Sequence, residues 1–148
     1  MPNLTLSMID GEPVVEVQIG VTPRRSSQDF VMKGLAVPSP MLVCLLVDTG
    51  SSHSMVAKPV LRALGISAAG TSRIHTATGG EVLSEYDVSL LIHGKSPGQG
   101  WFVPEVFVSA ANDDAFSGSP YVGLIGRDVL GQGLMIYNGR NAHLTLAY

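Results

Sequence analysis

Met41-Leu42-Val43-Cys44-Leu45-Leu46-Val47-Asp48-Thr49-Gly50-Ser51 is a run of seven apolar residues that ends on a carboxylate followed, two positions later, by a glycine. A short, uninterrupted aliphatic run reads as a strand buried on both faces. Its ending is open to two readings. In one, Asp48 closes an Asx turn by bonding its own backbone. In the other, Gly50 permits a sharp turn whose N–H groups, with the Ser51 hydroxyl, hold a carboxylate that burial would otherwise penalise.

Outward from this run the pattern is short and alternating. Val15, Val17 and Ile19, and again Val88, Leu90 and Ile92, have the period of two expected of half-buried strands. Asp10-Gly11, Gly79-Gly80 and Asn138-Gly139 stand between such runs and supply the positive φ angles of tight hairpin turns. The chain is therefore expected to be all-β and predominantly antiparallel. One helix is expected over residues 58–64, with Pro59 in its first turn and Gly65 at its end; a shorter one is expected to begin near Arg127 and stop at Gly131. Residues 22–40 are rich in Ser, Pro and charge and read as a loop or extended hairpin inserted into the domain. Residues 94–100 and 110–120 read as surface loops. No internal repeat or low-complexity tract is present.

The 148 residues suit one domain spanning 1–148, large enough for one core. Apolar residues make up 45% and charged residues 14%, so the composition is globular. A net charge of −3 and nine scattered Lys and Arg residues exclude the basic stripe that a phosphate backbone requires, so no nucleic-acid partner is expected. Cys44 is the lone cysteine; it reads as small core filler in a reducing compartment. The amino terminus shows no charged leader, and no segment nears the roughly 20 apolar residues of a membrane span, so a soluble cytoplasmic protein is expected.

Further along the chain, Val122-Gly123-Leu124-Ile125-Gly126-Arg127-Asp128-Val129-Leu130 repeats the order of apolar strand, glycine turn and helix. With Asp48-Thr49-Gly50-Ser51 it resembles the retroviral-type (retropepsin-like) aspartic proteases, in particular their bacterial single-domain members. The resemblance runs from about Val14 to Leu146, with 22–40 as an insertion and 135–146 as the counterpart of the family's closing hairpin. It implies a closed acid-protease barrel that works as a homodimeric aspartic endopeptidase. Asp48, Thr49 and Gly50 become the catalytic motif and Ser51 the support of the carboxylate. Leu124, Ile125, Gly126, Arg127 and Asp128 become the structural segment beside the site. A mobile flap is implied over residues 74–83, where Thr78, Gly79 and Gly80 would approach the substrate backbone. No metal or organic cofactor is implied.

Hydrolysis by this route needs two carboxylates about 3 Å apart that share one proton. A second Asp-Thr/Ser-Gly is absent: Asp10-Gly11 lacks the middle residue and Asp114-Ala115-Phe116-Ser117-Gly118 has the wrong spacing. A twofold dimer supplies the missing group, because an isologous interface sets each residue opposite its own copy. The resemblance gives Thr49 a bond across that axis. Ser51 is expected to donate to the ionised carboxylate, which favours an acidic working range. Ser52 and His53 stand where retroviral members often carry an acidic residue that pairs with the arginine of the downstream segment. Arg127 is therefore expected to bond Asp128 of the other subunit or a backbone carbonyl.

Other constellations carry less. His53, His75, His93 and His143 lack zinc-site spacing. Gly94-Lys95-Ser96 lacks the leading glycine of a phosphate loop, and Ser51, His53 and Ser54 lack a nucleophile elbow. Trp101 and Phe102 are expected in core or interface packing. Two functions remain in view: a peptidase acting on peptide or protein substrate, and an inactive retropepsin-fold binding or oligomerisation module.

Overall fold

The computed structural model describes all 148 residues. The alternating runs form strands, and their alternation sorts inside from outside. In β2 (Val14–Gly20) the side chains of Val15, Val17 and Ile19 are buried while Glu16 is exposed. β2 pairs with β3 (Met41–Val47), which pairs in parallel with β8 (Gly123–Ile125). β8 pairs with β4 (Met55–Ala57), β4 in parallel with β7 (Gly100–Ala111), and β7 with β6 (Gly79–His93). Residues 89–92 of β6 then return to residues 17–20 of β2 and close the barrel. Closure leaves no free edge among these strands. Only β5 (Gly70–Thr76) lies outside the ring, joined to β6 as a projecting hairpin.

A second sheet, ordered β1-β10-β9, is built from β1 (Asn3–Ser7), β9 (Leu134–Asn138) and β10 (His143–Ala147). Leu4, Leu6, Leu144 and Leu146 on its inner face join the barrel core, and Tyr148 stacks on Trp101 with ring centroids 5.1 Å apart. Phe102, beside Trp101, faces out. The two expected helices form as α2 (Lys58–Ala63), halted by Gly65 at φ +65°, and α3 (Arg127–Leu130). No helix is long and apolar enough to cross a membrane.

Three expectations need correction. The β3 run is not buried on both faces: Leu45 and Val47 point inward, whereas Leu42 is exposed and Cys44 only half-buried, because the outer surface of the barrel is uncovered there. Cys44 is accordingly not core filler. The pairing is predominantly antiparallel as expected, with two short parallel contacts, β3–β8 and β4–β7. The turn at Asn138-Gly139 is a short 3-10 segment, Gly139–Asn141, and the left-handed residue is Ala142 rather than the glycine.

The third correction concerns residues 22–40, which are neither a plain loop nor a hairpin. They open on α1 (Pro23–Arg25), a π turn Ser26–Phe30 and a 3-10 turn Val31–Lys33, ended by Gly34 at φ +69°. The signal lay in Thr22-Pro23: the Thr22 hydroxyl accepts from the Arg25 amide, and proline suits the first helical position. The segment is anchored electrostatically. Arg25 Nε donates to Asp87 Oδ1 at 2.6 Å and Arg24 Nη2 to Asp87 Oδ2 at 2.8 Å, while Arg25 Nη2 reaches the Ser67 carbonyl at 2.8 Å. Asp87 is fully buried.

Burial alone would raise the Asp87 carboxyl, but the hydrogen bond from Arg25 and the two nearby guanidinium charges outweigh it and hold it below its ordinary range. A depressed folded-state value means stability that is present above the ordinary carboxylate range and lost as pH falls through the folded value. Breaking a buried pair by removing one partner costs about 3–5 kcal/mol, so Asp87→Ala is expected to lose that much in urea unfolding at neutral pH. Asp87→Asn is expected to flatten the acid limb of stability against pH; an unchanged limb would assign the acid loss to other groups.

Candidate active site

The end of β3 and the end of β8 lie side by side, and main-chain bonds lock the loops that follow. The Asp48 amide donates to the Ile125 carbonyl at 2.9 Å, and the Arg127 amide to the Ser51 carbonyl at 2.9 Å. Leu124 and Ile125 thus pair directly with Leu46 and Val47, and the two motifs meet as expected. Between the loops there is no room for a side chain. A Cβ on Gly126 would fall 2.6 Å from the carbonyl carbon and 2.7 Å from the oxygen of His53.

The carboxylate of Asp48 is half-buried and accepts one bond from within the chain, Gly50 N to Oδ1 at 2.8 Å. This is the Asx turn, so both readings of the strand's ending describe the same atoms. Oδ2 has no partner within the chain. The fit at Gly50 is tight, because a Cβ would lie 3.0 Å from Oδ1. Ser51 does not take its expected role: its hydroxyl donates to the His53 carbonyl at 2.7 Å. Thr49 is exposed and its side chain bonds nothing within the chain. Its carbonyl accepts from Arg127 Nη1 at 2.7 Å, which is the backbone partner anticipated for that arginine.

Beneath the loop sits a polar clamp that sequence reasoning missed. Asp128 Oδ1 accepts from the Ser54 hydroxyl at 2.7 Å and Oδ2 from the Ser54 amide at 2.8 Å, while the Ser54 hydroxyl accepts from the Gly126 amide at 3.0 Å. Ser54 is buried, and these bonds tie the loop after Asp48 to the first turn of α3. No local spacing announces the pair, which is separated by 74 positions.

Asp48, Gly50, Ser51 and His53 face Arg73, Ile74 and His75 of β5 across a cleft of about 530 Å³. Of the β5–β6 hairpin, residues 73–75 line this cleft opposite the candidate carboxylate. Its tip differs from expectation: Thr76 pairs with Gly79, so Ala77 and Thr78 form the two-residue turn and Gly79 carries the positive φ, +143°, just after it. Thr78, Gly79 and Gly80 are exposed beyond the cleft rather than lining it. Asn112 donates to Glu81 at 3.4 Å and Ser72 bonds Ser109 at 2.7 Å, which seats the hairpin's base on β7 and the loop that follows it.

The overall fold recurs in solved structures. A retropepsin-like aspartic protease from Rickettsia conorii superposes with a TM-score of 0.58 and 14% sequence identity, covering 99% of this chain and 90% of that one. The fold is that of the aspartic proteases. An aspartic proteinase from Irpex lacteus matches with a TM-score of 0.57 and 14% identity over 99% of this chain, which spans only 47% of the Irpex chain. No protein-family model matches the sequence, and no curated protein does. Within this aspartic-protease fold, Asp48 lies where β3 ends, at the junction with β8.

Gly126→Ala is expected to cost about 3 kcal/mol, the upper range for overpacking, because the atoms it meets are backbone. Gly70→Ala, with open space around its Cβ, is expected to stay within about 0.5 kcal/mol. Thermal unfolding of the two variants checks the contrast; equal effects would mean that the loops separate readily.

Proposed function

We propose that the protein is an aspartic endopeptidase whose active site forms when two copies bring their Asp48 carboxylates together. The observation that carries this reading is the carboxylate itself, fixed by main-chain bonds at the floor of a cleft, with Oδ2 left free. The match to about half of the Irpex proteinase supports a half-molecule. A single Asp-Thr-Gly in 148 residues supports a symmetric partner over a second lobe.

The chemistry follows from spacing. Two ionised carboxylates about 3 Å apart repel by about 5 kcal/mol at an effective dielectric near 20, so the pair keeps one proton. The ionised Asp48 takes a proton from a water held between the two, and that water's oxygen attacks the scissile carbonyl carbon. The protonated Asp48 of the second copy donates to the carbonyl oxygen. In the tetrahedral intermediate a proton then passes to the amide nitrogen, the C–N bond breaks, and the pair regains its starting protonation. Gly50 leaves space for substrate and water against the carboxylate, and the β5–β6 hairpin is suited to cover the peptide and exclude bulk water. Thr49, exposed at the loop's outer side, is free to bond its copy across the axis.

Digestion of a peptide library across acidic to neutral pH tests the proposal. Asp48→Asn is expected to lower cleavage by about 10²–10⁴-fold or more while leaving the fold intact. Below the dimer dissociation constant, cleavage by the native chain is expected to rise with the square of protein concentration. Unchanged cleavage in Asp48→Asn would remove the assignment, and no cleavage at any pH would leave the binding or oligomerisation module.

A further inference from the structure

The cleft at Asp48 gathers basic side chains although the chain as a whole is acidic. Asp48 is the one acidic residue that lines it, against Arg73, His53 and His75. The two imidazoles can gain a proton and a positive charge but never add a negative one. Arg73 has no partner within the chain, whose ion pairs use Arg24, Arg25 and Arg62. Across the hairpin it stands opposite Val82, with Gly80 and Ser84 on the diagonals, so the cross-strand positions offer it no carboxylate. Glu81, next to Val82 in sequence, pairs with Ile74 on the opposite face and accepts from Asn112 instead. The His75 ring bonds nothing within the chain, and the His53 ring engages only Nδ1, with the Ser52 hydroxyl at 2.8 Å.

An exposed arginine is ordinary on a protein surface. Arg73 differs in its place: it lines the same cleft as the proposed reacting carboxylate, beside the half-buried Met55 and Ile74. A guanidinium presents a planar fork that matches a carboxylate, and an aliphatic stem can lie on the two apolar side chains beside it. We propose that the cleft selects peptides carrying an acidic side chain close to the scissile bond, with Arg73 as the residue that reads it. Glutamate suits the site better than aspartate, because its longer stem can cover Met55 and Ile74 while its carboxylate meets Arg73. This rests on the peptidase reading above and names its substrate class. In the homodimer the second copy presents its own Arg73, so acidic positions are favoured on both sides of the scissile bond. The same charge works against lysine or arginine at those positions.

The test gives the full chain matched peptides that differ only in Glu or Gln at one position, above about pH 5, where the peptide glutamate is ionised. The peptides come from sites cut in a library digest or, if none is cut, from a glutamate-scanned series. The Glu peptide is expected to show a kcat/KM at least about tenfold above its Gln counterpart, mostly through KM, because the arginine holds ground state and transition state alike. Arg73→Gln is expected to bring that ratio near one, and Arg73→Glu to reverse the order of Glu and Lys peptides, with circular dichroism spectra unchanged. Arg140→Gln, at an exposed arginine outside this cleft, is expected to keep the native ratio. Fluorescence anisotropy of the same peptides on the Asp48→Asn chain reads the preference without cleavage and is expected to give a similar factor. Equal cleavage of Glu and Gln peptides, or a Glu preference that survives Arg73→Gln, overturns the inference and leaves the peptidase reading standing. An Arg73-dependent Glu preference in binding, with no peptide cut, supports acid recognition by the cleft and removes the peptidase reading. Neither cleavage nor such a preference overturns both.

Discussion

The close crossing of the two loops after β3 and β8 constrains everything near Asp48. Parallel pairing of Leu46 and Val47 with Leu124 and Ile125 delivers both loops to the same place, and Gly126 lets the main chain of one lie against His53 of the other. Main-chain bonds from Asp48 to Ile125 and from Arg127 to Ser51 then leave the aspartate little freedom. A carboxylate held this way spends few of its own hydrogen-bonding sites on being positioned. Only Oδ1 is engaged, by Gly50, so orientation comes from the backbone and reactivity is left to the side chain. The Ser54–Asp128 clamp beneath serves the same end by satisfying the buried hydroxyl and the Gly126 amide together.

In the proposed mechanism this one carboxylate is half of an acid/base pair. The loop that carries Asp48 and the strand β9 lie close together, since Thr49, Met135 and Tyr137 line one cavity. In the proposed homodimer a single twofold operation would supply the second carboxylate. The six barrel strands close on one another, and the inserted helical segment is tied down by Arg24 and Arg25 on Asp87. In aspartic-protease folds such as that of the Irpex proteinase, a chain of this length accounts for about half of the molecule.

Much of this was legible in the sequence where local physics decides. Alternation in Val15, Val17 and Ile19 and in Val88, Leu90 and Ile92 marked the barrel walls, and Pro59 with Gly65 framed α2. Asp48-Thr49-Gly50 alone fitted an ordinary Asx turn, and only its pairing with Leu124-Ile125-Gly126, through the resemblance to retropepsin-like proteases, pointed to two loops at one site. Long-range partnerships were not legible. Nothing near Asp87 signals that two arginines from residues 22–40 will reach it, and Ser51 had no local reason to prefer the His53 carbonyl over the carboxylate beside it. The continuous apolar run of β3 misled for a related reason: side-chain polarity does not reveal that part of a barrel's outer wall stays uncovered, as at Leu42.

The central claim is that two chains make one site, and binding stoichiometry tests it most directly. Calorimetric titration with a statine-type peptide, which mimics the tetrahedral intermediate, is expected to saturate at one inhibitor per two chains, with Asp48→Asn abolishing the tight binding. Saturation at one inhibitor per chain, or the absence of binding by chains shown to be dimeric, would contradict the account.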